Sequence, residues 1–254
     1  MQKIGDPDIT QFQVSRREAG ASNAEINREL AIVRRAYRLA KLPNPPEIRM
    51  LKESAPRSGF FEREQFESVR SHLACDLADV VTLAYYVGWR ISEILNLEWR
   101  QVDLQAGAVR LDAGTTKNDE GRVFKFGEIT ELMTMFERRR AETDGLSRRR
   151  GEIIPSVFHR NGKAISDLRS AWHAACRAAG CPGRMFHDFR RTAVRNLDRA
   201  GVSRRVAMQI VGHKTESIYN RYRIVDDNDL SEAADRMNAF AMGSKMGSKR
   251  GSTT

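Results

Sequence analysis

Residues suited to phosphate chemistry recur through the second half of the chain. In His187-Asp188-Phe189-Arg190 the three-residue spacing puts His187 and Arg190 on one helical face. Arg is a two-pronged donor for a phosphate oxygen, and His is a second donor or a proton carrier. Taken alone, the pair reads more readily as an ordinary surface pair. His213 follows Gly212, a helix stop, and so stands where a turn presents a side chain. Tyr222 comes nine residues later between Arg221 and Arg223. A phenol among arginines suits attack on phosphorus, although a tyrosine alone is more often a packing residue. Upstream, Arg90 opens a helix after the break at Gly88, and Glu93 lies one turn on. Ile94, Leu95, Leu97 and Trp99 anchor that helix, so an Arg there is costly without a partner. Lys117 sits in a turn beside Thr115 and Thr116, where a hairpin tip could enter a DNA groove or simply be solvated.

The elements that must carry these residues are mostly helical. Residues 8–19 are amphipathic. Ser22 and Glu25 form a capping box for a second helix, whose stripe is Ile26, Leu30, Val33, Tyr37 and Ala40. Pro43, Pro45 and Pro46 end it, and residues 43–57 read as a linker. These two helices have more apolar surface than they can cover between themselves. Helices are predicted at 62–73, 76–86 and 91–97. Ala108–Asp112 and Arg122–Phe126 alternate like strands and are joined by a turn at 117–121. Further helices are predicted at 129–142, 164–179, 188–200, 204–211, 216–222 and 229–241. The last carries Leu230, Ala233, Ala234, Met237, Phe240 and Ala241 on one face. The Gly/Ser-rich residues 242–254 read as a disordered tail. The expected fold class is mainly α with a small antiparallel β-sheet or hairpin.

Composition narrows the partners. The 254 residues carry 43 Lys and Arg against 33 Asp and Glu, a net +10 that favours a polyanion. Neither a membrane span nor a signal peptide is legible, so a soluble, cytoplasmic protein is expected. The three scattered cysteines agree with that compartment. His173, Cys176 and Cys181 lack a fourth ligand and a paired Cys-x-x-Cys for zinc. Asp226, Asp227, Asp229 and Glu232 lack the glycine of a calcium loop and suit the start of the last helix. No metal and no cofactor is expected.

The order and spacing of Gly88-x-Arg90-x-x-Glu93-x-x-x-Leu97-x-Trp99, the hairpin Lys117, His187-x-x-Arg190, Gly212-His213 and Tyr222 resemble the tyrosine recombinases of the phage-integrase type. The likeness covers residues 58 to about 240. Ala24–Leu30 looks like the end of that family's helical core-binding domain. The expected organisation is a partial core-binding domain at 1–42, the linker, and a catalytic domain at 58–241 with the DNA breaking-rejoining fold. Val87, Trp89 and Arg191 depart from the commoner residues at their positions. The larger departure is that only about 40 residues precede the linker, which puts encirclement of DNA in question.

The resemblance implies that Arg90 and Arg190 clamp the phosphate, and that Lys117 is the hairpin lysine and His187 the histidine of His-x-x-Arg. It also implies that His213 fills a position taken by His or Trp, that Tyr222 is the nucleophile, and that Glu93 supports Arg90. The implied activity is site-specific, metal-independent DNA cleavage and rejoining through a 3′-phosphotyrosyl bond. The implied partner is double-stranded DNA, bound by a homo-oligomer, a tetrameric synapse, with helix 229–241 docking on a neighbouring protomer. A bacterial or phage-encoded, nucleoid-associated protein is expected. Arg191, Arg195, Arg204 and Arg205 are expected to touch DNA, with Arg199, Arg138–Arg140 and Arg148–Arg150 adding charge. The competing readings are a type IB topoisomerase-like activity and a catalytically inactive, integrase-derived DNA-binding protein.

Overall fold

The computed structural model describes residues 4–54, 59–114, 121–222 and, within 230–239, all but 232 and 236. Lys117 and the acidic residues 226, 227, 229 and 232 lie outside the described residues. Internal contacts divide the chain into two units, Met1–Arg57 and Ser58–Thr254.

The first unit is a helical hairpin, α1 (Asp6–Glu18) and α2 (Asn23–Ala40). Ser22 and Glu25 cap α2 reciprocally: Ser22 N donates to Glu25 Oε2 at 2.8 Å and Glu25 N to Ser22 Oγ at 3.3 Å. Ile26 and Leu30 are fully buried, and Ile9 and Ile48 close over them. Residues 46–54, read from the prolines as a linker, run as an extended strap along the hairpin. The Asn27 amide donates to Leu51 O and accepts from Leu51 N, both at 2.8 Å, and Gln13 donates to Arg49 O at 3.0 Å. The strap supplies Ile48 to an apolar stripe that two helices leave uncovered.

The second unit opens with α3 (Arg63–Ser71), α4 (Cys75–Val87) and α5 (Ile91–Leu95), and a 3-10 turn at Trp99–Gln101. A sheet follows, β1 (Val102–Asp103), β2 (Ala108–Leu111) and β3 (Arg122–Lys125), antiparallel in chain order with Val109 opposite Phe124. Next come α6 (Thr130–Arg150), the hairpin β4 (His159–Arg160) and β5 (Lys163–Ala164), and α7 (Arg169–Ala178). The unit continues with α8 (Asp188–Arg199), α9 (Arg204–Val211) and α10 (Glu216–Asn220). Within 230–239 the described backbone is helical, and Leu230 and Met237 are exposed.

Three elements differ from expectation. β1 is two residues long, too short for an alternation signal. The helix expected from 164 begins at Arg169, because β4 and β5 turn back across Asn161-Gly162, both at positive φ. That dipeptide is a strong hairpin signal, but no apolar alternation flanks it. α6 runs eight residues past 142 to Arg150, carrying Gly145 within it, and stops at the left-handed Gly151.

α4 is the central helix. Val80, Val81, Leu83, Ala84 and Val87 are fully buried, and α4 packs chiefly against α8. Phe189 of α8 stacks on Phe61 at 4.9 Å between centroids and meets Trp172 at 5.3 Å. Gly88 ends α4 at φ 62°, and a Cβ there would sit 2.8 Å from Ala193 Cβ and 3.2 Å from Arg190 Cα. Glycine thus satisfies both the left-handed turn and the close approach of α8. This contact sets Gly88, two residues before the α5 N-cap Arg90, against the first turns of α8.

Candidate active site

Arg90 stands at the N-cap of α5. Its backbone N donates to Glu93 Oε2 at 2.9 Å and its Nη1 to Glu93 Oε1 at 2.8 Å. Glu93 is buried, and Arg122 of β3 shares it, donating from Nη2 to Oε1 at 2.6 Å. Arg122 is itself buried. Its Nη1 donates to Val211 O at 3.0 Å, and its guanidinium faces the Trp89 ring at 5.7 Å. Arg122 was absent from the residues the sequence singled out. The signal was present: with period 2, Arg122 shares the inward face with Phe124 and Phe126.

The second half of the site is built on α8 and the turn after α9. Arg190 is 3 % exposed and donates from Nη1 to Gly88 O and from Nη2 to Gly212 O, both at 3.0 Å. Its Nε donates to His213 Nε2 at 2.9 Å. Gly212 ends α9 at φ 78°, and the reversal swings His213 inward. Tyr222 packs over this pair: its ring stacks on His213 at 4.7 Å and 26°, and its hydroxyl lies 2.9 Å from His187 Nε2. The Arg190 and Arg191 guanidinium carbons are 5.8 Å and 5.5 Å from the Tyr222 ring centre. Four of the expected residues, His187, Arg190, His213 and Tyr222, therefore meet around one point, and Arg90, with Glu93 behind it, stands near enough for its charge to act on His187, Arg190 and His213.

The cluster is cationic, and the ionisations follow. Burial, then Arg190, Arg90 and Arg122, holds His213 down to about 3. Withdrawal from water, then Arg190 and Arg191, lowers His187, whose outer edge remains exposed. Burial and the charge of Arg90 bring Arg190 to about 10. Burial pushes Glu93 up, but the Arg90 N–H and the Arg122 guanidinium outweigh it and hold the carboxyl below its usual range. Arg90, Arg190 and Arg122 thus leave excess positive charge about a neutral His213, which an anionic ligand would offset. Among the described residues no cluster of His, Cys, Asp or Glu is arranged to hold a metal.

The arginines expected on DNA separate. Arg204 and Arg205 are exposed on α9; Arg204 meets Glu216 at 3.3 Å, and Arg205 borders a shallow pocket with Gly121, Gly212 and His213. Arg191 bonds Asp188 at 3.4 Å and turns toward Tyr222. Arg195 is buried instead of surface-facing. It donates to both Glu62 oxygens at 2.7 and 2.9 Å and to Phe61 O at 3.2 Å, with the Phe60 ring 3.8 Å away. Its place in the inner turn of α8 faces the segment before α3, so it ties those two elements together. Arg139 is likewise internal, bonded to Asp79 and Val157 O.

The fold and this cluster define a class. The chain belongs to the phage integrase family, which it matches over residues 62–229. It is 25% identical over 223 residues to an integrase of Salmonella phage P22, covering 83% of this chain and 55% of that protein. The chain thus spans about half the length of that relative. Among solved structures it is similar to a lambda integrase dimer bound to a core site, covering 88% of this chain and 81% of that one with TM-score 0.67 and 17% identity. It is also similar to the Tn1549 transposon integrase in complex with circular intermediate DNA, with 92% and 85% coverage, TM-score 0.68 and 16% identity. At these identities the likeness is one of fold: a mainly helical chain with small antiparallel sheets. Among the described residues no helix is long and apolar enough to cross a membrane.

Proposed function

We propose that this chain is the catalytic part of a site-specific DNA recombinase or integrase that cleaves and rejoins strands through Tyr222. The observation that carries the reading is the Tyr222 hydroxyl, 2.9 Å from His187 Nε2 and stacked against a histidine that Arg190 holds.

A free phenol has a pKa near ~10, so attack at neutral pH needs an acceptor for its proton. His187, lowered and therefore neutral, offers Nε2 at hydrogen-bond distance. The Tyr222 oxygen attacks phosphorus, its proton passes to His187, and the bond to the DNA 5′-oxygen breaks. That oxygen takes a proton from Lys117, leaving a 5′-hydroxyl and a 3′-phosphotyrosyl bond. One diester replaces another, so no nucleotide is consumed and the returning hydroxyl reverses the step. Arg90 and Arg190 answer the negative charge that grows on the non-bridging oxygens, and loss of one such donor typically costs ~100- to 1,000-fold in rate. Glu93 orients Arg90 from behind.

The substrate of this reading is double-stranded DNA, held through phosphates by Arg191, Arg204 and Arg205, with a homo-oligomer assembled on the site. The lambda relative solved as a dimer on its core site supports that partner. Leu230 and Met237, exposed where the described backbone of 230–239 is helical, suit docking of that stretch on a neighbouring copy. A cytoplasmic, nucleoid-associated location follows from such a substrate.

The test is a nicked duplex carrying a candidate attachment site, from which the short 5′-ended strand diffuses after cleavage. A covalent protein–DNA adduct on denaturing gels is expected from the native chain and none from Tyr222→Phe. No adduct on any candidate site, or one that persists in Tyr222→Phe, would overturn the reading.

A further inference from the structure

Arg122 lies behind the reacting centre, yet it touches both halves of it. One arm bonds Glu93, which holds Arg90 by its backbone and its guanidinium. The other arm bonds Val211 O, the last residue of α9, directly before the turn that presents Gly212 O to Arg190 and His213 to Tyr222. The guanidinium fills the space that a Cβ at Gly212 would need, so it also forms the floor of that turn. α5 comes early in the chain and the 211–213 turn late. The described bridge between Glu93 and that turn is this side chain of β3.

We propose that Arg122 is a positioning residue for strand cleavage: it sets the spacing between the Arg90 clamp and the Arg190–His213 clamp. The inference rests on the recombinase reading. The side chain is about 95% shielded from solvent, judging from its 5 % exposure, so it acts through its two neighbours and not on DNA. A fork is required. Lysine keeps the charge, but its three N–H donors radiate from one nitrogen and lack the planar fork, so it cannot hold Glu93 and Val211 O at the spacing the guanidinium sets. Displacing a reacting group by about 1 Å costs on the order of 100-fold in rate, while phosphate contacts elsewhere keep DNA affinity.

The experiment measures single-turnover adduct formation at saturating nicked duplex, DNA affinity by titration, and melting temperature. It compares the native chain, Arg122→Lys, Arg122→Gln, Glu93→Gln and the double variant Arg122→Lys with Glu93→Gln. The expected result is a cleavage rate lowered roughly 100-fold in both Arg122 variants, with affinity within about 2-fold of native. Adding Glu93→Gln to Arg122→Lys should lower the rate far less than Glu93→Gln does alone, since both changes free the same clamp. Rates are corrected for the folded fraction, so a variant that loses rate only by unfolding overturns the proposal. A native rate in Arg122→Lys overturns it too, because charge alone then suffices. So does a loss that tracks DNA affinity, which assigns a contact role. If the native chain forms no adduct, the recombinase reading fails and the positioning role falls with it; the other failures leave that reading intact.

Discussion

Arg190 donates its Nε–H to His213 Nε2 across 2.9 Å. A guanidinium is always a donor, so His213 accepts there and carries its own proton on Nδ1. That atom is buried and has no hydrogen-bond partner among the described residues. The pair is a histidine held neutral and an arginine held in place, with a spare N–H beside the proposed reaction centre.

Stability should therefore fall on mild acidification. His213 sits at about 3 in the folded chain against about 6.5 when unfolded, so between these values only the unfolded chain takes up the proton. Excess proton binding by the unfolded state makes stability rise with pH. The contribution is complete above about pH 6.5 and is lost as pH drops toward 3. His187, lowered in the same sense, adds to it. The slope from His213 approaches about 1.4 kcal/mol per pH unit. Urea unfolding between about pH 7 and 5 should show it, and His213→Gln should flatten it; an unchanged slope would mean that His213 is not the group held neutral.

Two tyrosines close together on and after α10 offer themselves as nucleophile. Tyr219 is fully buried, with its hydroxyl toward Asp198 Oδ1 at 3.4 Å, whereas Tyr222 is half-buried and meets His187. Tyr219→Phe should keep adduct formation within about 10-fold of native, and Tyr222→Phe should abolish it. Peptide mapping of the adduct checks both, and a modified Tyr219 would reverse the assignment.

Lys117 was assigned as the acid that protonates the leaving oxygen. Lys117→Ala should then slow cleavage of ordinary DNA by about 100-fold or more. The rate should recover on a substrate with sulfur at the 5′-bridging position, which leaves without a proton. Recovery absent in Lys117→Ala removes the lysine from that role.

The arginines of α8 and α9 should part company on mutation. Arg195→Ala should lower unfolding stability by roughly 2 kcal/mol, because it removes charged hydrogen bonds that join α8 to Phe61 and Glu62. Its effect on the salt dependence of DNA binding should be negligible once the protein is folded. Arg204→Ala and Arg205→Ala should stay within about 0.5 kcal/mol of native stability. Each should reduce the slope of log affinity against log salt by about 1. Chemical denaturation and binding titrations over a salt series measure both, and an unfolding effect from Arg205→Ala would count against its free placement.

Helix identities were legible from the chain because apolar periodicity and capping are local. Ser22 with Glu25, and the glycine stops at 88 and 212, depend on residues within a turn of one another. So were the candidate chemical groups, through spacings such as His187 to Arg190 that a single helix converts directly into shared direction. Which arginines face a ligand was not legible. Arg122, Arg139 and Arg195 are all nearly sequestered from water, and only partners distant in sequence decide that: Glu93, Asp79 and Glu62. A buried guanidinium needs acceptors brought to it by other elements. The packing of β3, α6 and α8 against elements distant in sequence therefore decides which cations become scaffold and which remain to meet a phosphate.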